Sequence, residues 1–273
     1  MQFIQPKVEI IPQSEGLIGV YKQIEIAGRT CYKSEDKITN DSCKEFVQRM
    51  MNSGHTAMLE HGTVYLKVPF DVWKQDYHEW VFMFPEDLPW VDVNADSKNI
   101  YITTNFRHIF EHHVGLELVD LFQCEPTKFH EKRVTVRFTC DRGVSHELVR
   151  HRAFSFAQES TRYCNYSKDK FGYELTFIKP SGIEKYTCFN EHGGVDNYLK
   201  LCEDLYMSLL DQGWKPQDAR AILPNCLKTE VVMTGFVIDW EHFFDLRCAP
   251  NAHPDMKYLA DKLKEEFISK GYI

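Results

Sequence analysis

The chain has 273 residues, 43% apolar and 26% charged, an ordinary balance for a soluble globular protein and within the range of one large domain. A net charge of −8 argues against nucleic-acid binding, which leaves a basic footprint. Nine cysteines, odd in number and without a CxxC pair, suit neither a disulfide scaffold nor a zinc site, so reduced thiols in a cytoplasmic protein are expected. No basic region with an apolar core follows Met1 and no apolar run is long enough for a bilayer, so neither a leader nor a membrane segment is expected.

In chain order, Val8, Ile10 and Ile11 predict a strand that ends at Pro12, and Leu17, Tyr21, Ile24 and Ala27 predict a helix after it. Ser42 with Glu45 reads as a capping box for a second helix, with Phe46, Val47, Met50 and Met51 as its apolar face and Gly54 as its stop. Thr63 to Val68 alternates like a half-buried strand and ends at Pro69. Phe70 to Lys132, rich in Trp, Phe, His and acids, reads as an insertion of one or two helices with a loop around Pro85, Glu86, Asp87 and Pro89. Val134, Val136 and Phe138 give a strand over Arg133 to Cys140, and Asp141-Arg142-Gly143 turns into a helix beginning near Ser145.

Further on, Leu199, Cys202, Leu205, Tyr206 and Leu209 mark a helix closed by Gly213, and Thr229 to Val237 a strand. Two helices follow, the last carrying Met256, Leu259, Leu263 and Phe267 and closed by Gly271. This pattern predicts an α+β fold: one domain over 1–273, a mixed, largely antiparallel sheet, flanking helices and a helical insertion at about 70–132.

The chemistry concentrates in SHELVRHRAFSFAQESTRY, residues 145–163. Arg150, Arg152 and Arg162 offer forked donors that match phosphate or carboxylate oxygens, and Phe154 and Phe156 offer flat apolar faces beside them. A charged tail on a planar ring describes a nucleotide, whereas an arginine-rich helix is more often a solvated or salt-bridged face. His146-Glu147 begins like a zinc-protease HExxH motif, but the second histidine, His151, comes one residue too late, and no metal is expected there. Ser160 lacks a GxSxG elbow and an identifiable base, which favours a hydrogen-bonding serine over a nucleophile. In the 70–132 segment, His108 and His112 stand at the i, i+4 spacing of a helical metal pair or of a plain polar face.

Arg150-His151-Arg152, seven further residues and then Ser160 resembles the RHRxxxxxxxS signature of flavin-dependent thymidylate synthases, with Ser155, Gln158, Arg162 and Tyr163 in the extended motif. Gly54-His55 with Glu60-His61 resembles the family's GH…EH element, Ala219 to Asn225 its ARxxLP segment, and Arg29 in IAGRTCY its early arginine. Val231 to Gly235, Trp240, His242, Phe243 and Leu246-Arg247 continue the likeness, which leaves out 70–132 and the extreme ends.

The resemblance implies a homotetramer that methylates dUMP to dTMP, with FAD as cofactor and NADPH and 5,10-methylenetetrahydrofolate as co-substrates. By position it implies Cys31, Glu60, Arg150, His151, Arg152, Gln158, His242 and Asn251 on the FAD side. Glu147, Arg150, Gln158, Ser160, Thr161, Arg162, Arg220 and Arg247 would line the dUMP site, with Arg247 and Ser160 as the catalytic pair. No cysteine lies in the signature, so hydride from reduced flavin would replace thiolate attack on the ring, and Arg247 would stabilise the charge that develops.

Some positions depart from the family pattern. Asn251 stands for a histidine, Phe236 and Ile238 for an asparagine and an arginine at the adenine end of FAD, Glu159 for an apolar residue, and Glu147 for a glutamine of some members. A phenylalanine at 236 is expected to stack on the adenine instead of hydrogen-bonding it. The departures leave two alternatives: a divergent enzyme acting on another pyrimidine nucleotide, for example by hydroxymethylation, or a nucleotide-binding homologue without flavin.

Overall fold

Two short strands, β1 (Gln2–Ile4) and β2 (Lys7–Ile11), precede helix α1 (Gly16–Tyr32), whose Val20, Ile24 and Ala27 are fully buried at the spacing of one helical face. The computed structural model describes residues 1–85, 87–112, 115–179, 181 and 194–273. Glu86 of the expected loop therefore lies outside the described residues. Helix α2 (Ser42–Asn52) packs Phe46, Val47 and Met50 against α1, and Gly54 ends the segment at φ +70, a conformation that favours glycine. Its capping box does not form. Ser42 Oγ instead accepts from the Thr39 N–H at 2.9 Å and donates to Glu25 at 2.9 Å.

Strand β3 (Thr63–Pro69) starts the segment expected to be helical after it. That segment does hold short helices, α3 (Phe70–Gln75), α4 (Tyr77–Met83), α5 (Phe106–Glu111) and α6 (Gly115–Phe122), but also strands β4 (Asp92–Ala95) and β5 (Asn99–Asn105). β5 pairs antiparallel with β3 from Thr63↔Asn105 to Pro69↔Asn99, and β4 lies on its other side. Their inner faces, with Val64, Leu66, Val68, Ile100 and Ile102, close one core against α1, α2 and the short helices.

The second sheet carries the chemistry. Its order is β2, β6 (Arg133–Asp141), β9 (Lys228–Phe236) and β7 (Ser155–Gln158), all antiparallel. One face, with Val134, Val136, Phe138, Val231 and Met233, packs against α7 (Arg142–Leu148), α10 (Val237–Arg247) and α11 (Pro254–Ser269). The opposite face of β9 and β7 meets α1 through Ala27, Ala157 and Val232. A third core gathers α8 (Val195–Asp211), α9 (Pro216–Ala219) and β8 (Thr176–Ile178), the last paired in parallel with β1. The architecture is α+β, with antiparallel sheets apart from that one pair; the expected single sheet is three sheets among the described residues.

Candidate active site

The expected helix over the arginine cluster is short and begins earlier than the sequence suggested. Asp141 caps α7 by accepting from the Val144 N–H at 2.7 Å, and the helix ends at Leu148, whose side chain is fully buried. The chain then turns tightly, with the His151 N–H on the Leu148 carbonyl at 3.1 Å and the Phe154 N–H on the His151 carbonyl at 3.1 Å. His151 thus sits in a turn, not on a helix. From Phe154 the alternation of aromatic and small side chains becomes β7: Phe154 and Phe156 face the α10 core, while Ala157 faces α1.

Helix α10 delivers Arg247 to this turn. Trp240, Phe243 and Phe244 are buried at one face, and Arg247 continues that face by one turn. Burying each such aromatic contributes about 1.5–3 kcal/mol, so the core rather than an ion pair fixes where Arg247 arrives. There its Nε–H donates to His151 Nε2 at 2.9 Å, one Nη donates to the Glu147 carboxylate at 2.5 Å and the other to the Glu147 carbonyl at 2.9 Å. Burial first, then the charges of Arg247 and His242, push His151 down to about 4, so its imidazole is neutral near pH 7.

Arg150, His151, Arg152, Phe154, His242 and Arg247 line a cavity of about 240 Å³, with Asp239 at its edge. Arg150 and Arg152 are exposed, and among the described residues their side chains have no ion pair or hydrogen bond. Two free guanidinium groups beside an apolar wall and a third one clamped in place suit an anionic ligand with a planar part. Asn251 is exposed on the connection to α11 and does not line this cavity.

A second group forms at the other end of β7. The Ser160 N–H donates to the Cys31 carbonyl at 3.0 Å, and the Arg162 N–H donates to Ser160 Oγ at 3.3 Å. Arg220 reaches Thr161 Oγ1 at 3.4 Å, and the exposed Arg162 reaches Gln217 at 3.4 Å while lying over the Tyr163 ring. Gln158 turns inward and donates to Ser145 at 2.9 Å and Thr229 at 3.2 Å. The four paired residues of β7 separate the groups by roughly 13 Å at about 3.3 Å per residue.

Cys31 therefore belongs with Ser160 rather than with Arg150 and Arg152, and burial pushes its thiol up to about 11. Glu60 is paired with Arg107 at 2.7 Å, and Arg29 is locked to Glu25 within α1. Phe236 is only 6% exposed, with the Arg133 guanidinium 5.8 Å over its ring, so the expected stacking face is already covered. His108 does not present a free metal-binding face: one ring nitrogen is 2.6 Å from the Met83 carbonyl and the other accepts from Trp90 at 3.3 Å.

Two residues join the second group without a role assigned from sequence. His55 Nδ1 lies 3.1 Å from the Tyr32 hydroxyl, and Tyr32 packs on Tyr163 at 5.6 Å. The Gly54-His55 element was visible in the sequence, but nothing in its spacing pointed toward Tyr163.

The family model described as thymidylate synthase complementing protein, Thy1, matches residues 125–270, which include both groups. A flavin-dependent thymidylate synthase of Geobacter sulfurreducens is 33% identical over 119 residues, 44% of this chain and 49% of that protein. One from Pyrococcus furiosus is 32% identical over 137 residues, 49% of this chain and 53% of that protein. The chain thus spans about half the length of these two relatives. A third, from Mycolicibacterium vanbaalenii, is 25% identical over 273 residues, covering 94% of this chain and 79% of its own. The solved structure of the UMP/dUMP methylase PolB from Streptomyces cacaoi, bound with 5-Br dUMP, covers 98% of this chain and 93% of that one. Its identity is 16% and its TM-score 0.43, so the two superpose only loosely. With the family match running from before β6 through Arg247, the chain belongs to the Thy1 family, the flavin-dependent thymidylate synthases.

Proposed function

We propose that this chain converts dUMP to dTMP by reductive methylation, with FAD as cofactor and NADPH and 5,10-methylenetetrahydrofolate as co-substrates. The observation that carries the proposal is the clamp of Arg247 by neutral His151 and Glu147 at a cavity flanked by Arg150 and Arg152, which have no partner among the described residues. A flavin held there would supply the hydride chemistry that the pyrimidine ring needs, with NADPH as its reductant. The residues present fit such a group: Arg150 and Arg152 offer donors to its phosphates, Phe154 an apolar wall, and His242 a further polar contact.

The protein's own part is electrostatic. Arg247 is aimed before the reaction, so its charge can meet negative charge on the ring without reorganising. Ser160, Thr161, Arg162 and Arg220 hold the nucleotide phosphate, and Glu147, Arg150 and Gln158 complete the dUMP side. Because one copy leaves the two groups roughly 13 Å apart along β7, a second copy completes each site, in a homotetramer with the whole chain as one domain. All eight described cysteines are free thiols, which fits the reducing cytoplasm.

The test is anaerobic incubation of the purified protein with FAD, NADPH, dUMP and methylenetetrahydrofolate, with the product read by mass spectrometry and the flavin by absorbance. Formation of dTMP with flavin absorbance supports the proposal. A hydroxymethylated product points to the divergent chemistry. A colourless protein that still binds dUMP points to a nucleotide-binding homologue, the reading that the covered ring of Phe236 would favour.

A further inference from the structure

Glu159 departs from the apolar residue expected at its position, yet it is buried, at 2% exposure, immediately before Ser160. One carboxylate oxygen accepts from Lys228 at 2.8 Å and the other from the Tyr166 hydroxyl at 3.0 Å. Lys228 also pairs with Glu230 at 2.7 Å, Glu230 with Lys33 at 3.1 Å, and Lys33 with Glu35 at 2.8 Å. A row of alternating charges therefore runs from the end of α1, across β9, to the residue that precedes the Ser160 turn.

The main chain follows the same route. The Glu159 N–H donates to the Glu230 carbonyl at 2.8 Å, and the next N–H, that of Ser160, donates to the Cys31 carbonyl at 3.0 Å. Burial works against the charge of Glu230, but Lys228 and Lys33 outweigh it and hold its carboxyl down at about 2. Burial and then Glu159 push the Tyr166 hydroxyl well above the ordinary range, which keeps it a donor. Lys33 holds a left-handed backbone at φ 47, and its carbonyl accepts from Lys170 at 2.7 Å. Lys33, Glu35, Glu159, Tyr166, Lys170 and Lys228 border a separate cavity of about 520 Å³.

An apolar side chain would fill the Glu159 position with less desolvation, because buried ion pairs are often no more stabilising than well-packed apolar residues. What the carboxylate adds is direction: two hydrogen bonds at fixed angles fix the exit of β7 where Ser160, Thr161 and Arg162 begin. We infer that Glu159 is a positioning residue which, with Lys228 and Tyr166, sets the turn that receives the nucleotide phosphate. This rests on the proposed dUMP site and adds the residues that hold it in shape.

The test uses FAD-loaded protein and the variants Glu159→Gln, Tyr166→Phe and the apolar pair Glu159→Leu with Lys228→Met. Three quantities are read for each: the Kd and KM for dUMP, NADPH-dependent flavin reduction without dUMP, and Tm. Misplacing the turn should weaken dUMP binding by about tenfold in Glu159→Gln, less in Tyr166→Phe, and leave flavin reduction unchanged. The apolar pair, which lacks the hydrogen bonds that aim the turn, should lose dUMP affinity as Glu159→Gln does, with flavin reduction again unchanged. Unchanged dUMP affinity in all three variants, or recovery of affinity along with Tm in the apolar pair, overturns the inference. Wild type that binds dUMP keeps the functional reading in either case; wild type that does not bind it overturns both.

Discussion

Arg247 donates its Nε–H to His151 Nε2 at 2.9 Å, although 96 residues separate them in the chain. Since arginine only donates, Nε2 must be the acceptor, and a neutral imidazole then carries its proton on Nδ1. A protonated His151 would turn this contact into a repulsion between two cations. The contact therefore fixes both the direction of the guanidinium and the charge state of its neighbour.

If that guanidinium stabilises charge on the pyrimidine, its contribution is larger in the transition state than in the ground state. Arg247→Ala should lower dUMP-dependent flavin oxidation by about two orders of magnitude, the scale of losing one oxyanion-type donor. Arg247→Lys should recover only part, because the ammonium cannot donate to His151 and Glu147 at once in the same fork. Flavin reduction by NADPH should change far less. Stopped-flow absorbance separates the two half-reactions, and equal losses in both would assign Arg247 to the fold or the cofactor instead.

Among the described residues, Arg150 and Arg152 have no acidic partner to release before meeting an anion. Arg150→Ala and Arg152→Ala should each weaken FAD binding by about tenfold, the scale of one charge-assisted hydrogen bond, and riboflavin binding hardly at all. Fluorescence titration of both flavins reads this directly. Wild-type protein that binds riboflavin as tightly as FAD would remove these arginines from the phosphate assignment.

Gly235 on β9 lies under the Phe154 ring: a Cβ there would come within 2.4 Å of a ring carbon. Phe154 is wedged edge-on against Trp240 at 4.7 Å and also walls the cavity. Gly235→Ala should therefore cost about 1–3 kcal/mol in urea unfolding, the range for overpacking a filled core. Pairing it with Phe154→Leu should recover part of that loss. Full stability in the single variant would show that the ring has room to move.

His61 is fully buried, with Nδ1 2.8 Å from Thr234 Oγ1, and burial followed by the charge of Arg133 pushes it from the ordinary 6.5 down to about 3. Its folded pKa lies below its unfolded one, so the unfolded chain takes the proton first. The stability this group contributes is complete above about pH 6.5 and is lost as pH falls toward 3, at up to about 1.4 kcal/mol per unit. His151, at about 4, acts in the same direction from 6.5 downward. Urea midpoints should fall between about pH 7 and pH 5, and His61→Gln should flatten that fall. A level midpoint over this range would show that neither histidine is kept neutral by the fold.

Periodicity made much of the fold legible. The apolar faces of α1, α2, α8 and α11 and the alternation in β2, β3, β6 and β9 predicted elements close to those observed. β1 and β8 are three residues each and find each other across most of the chain, so no local pattern announces them. β5 did carry a signal, the run Ile100, Tyr101, Ile102, Thr103 and Thr104, but the aromatic and acidic texture around it masked that run. β7 is four residues long and follows directly on the arginine-rich turn after α7, so its alternation is too short to stand out from the helical pattern before it. At the site, residue types pointed to anion binding, whereas the pairings of Arg247 with His151 and of Glu159 with Lys228 depend on sheet and helix packing that no local spacing encodes.

The seven residues between Arg152 and Ser160 are the length of β7 with its two flanking turns. The strand acts as a ruler between the Arg152 and Ser160 groups, and a ruler with pleats tolerates changes only in steps. One residue inserted within it would send Phe156 toward α1 and bring Ala157 round to the α10 core. Two residues would keep the faces but push the groups apart by roughly 7 Å, at about 3.3 Å each. Within one copy, this interval sets the spacing between the two groups.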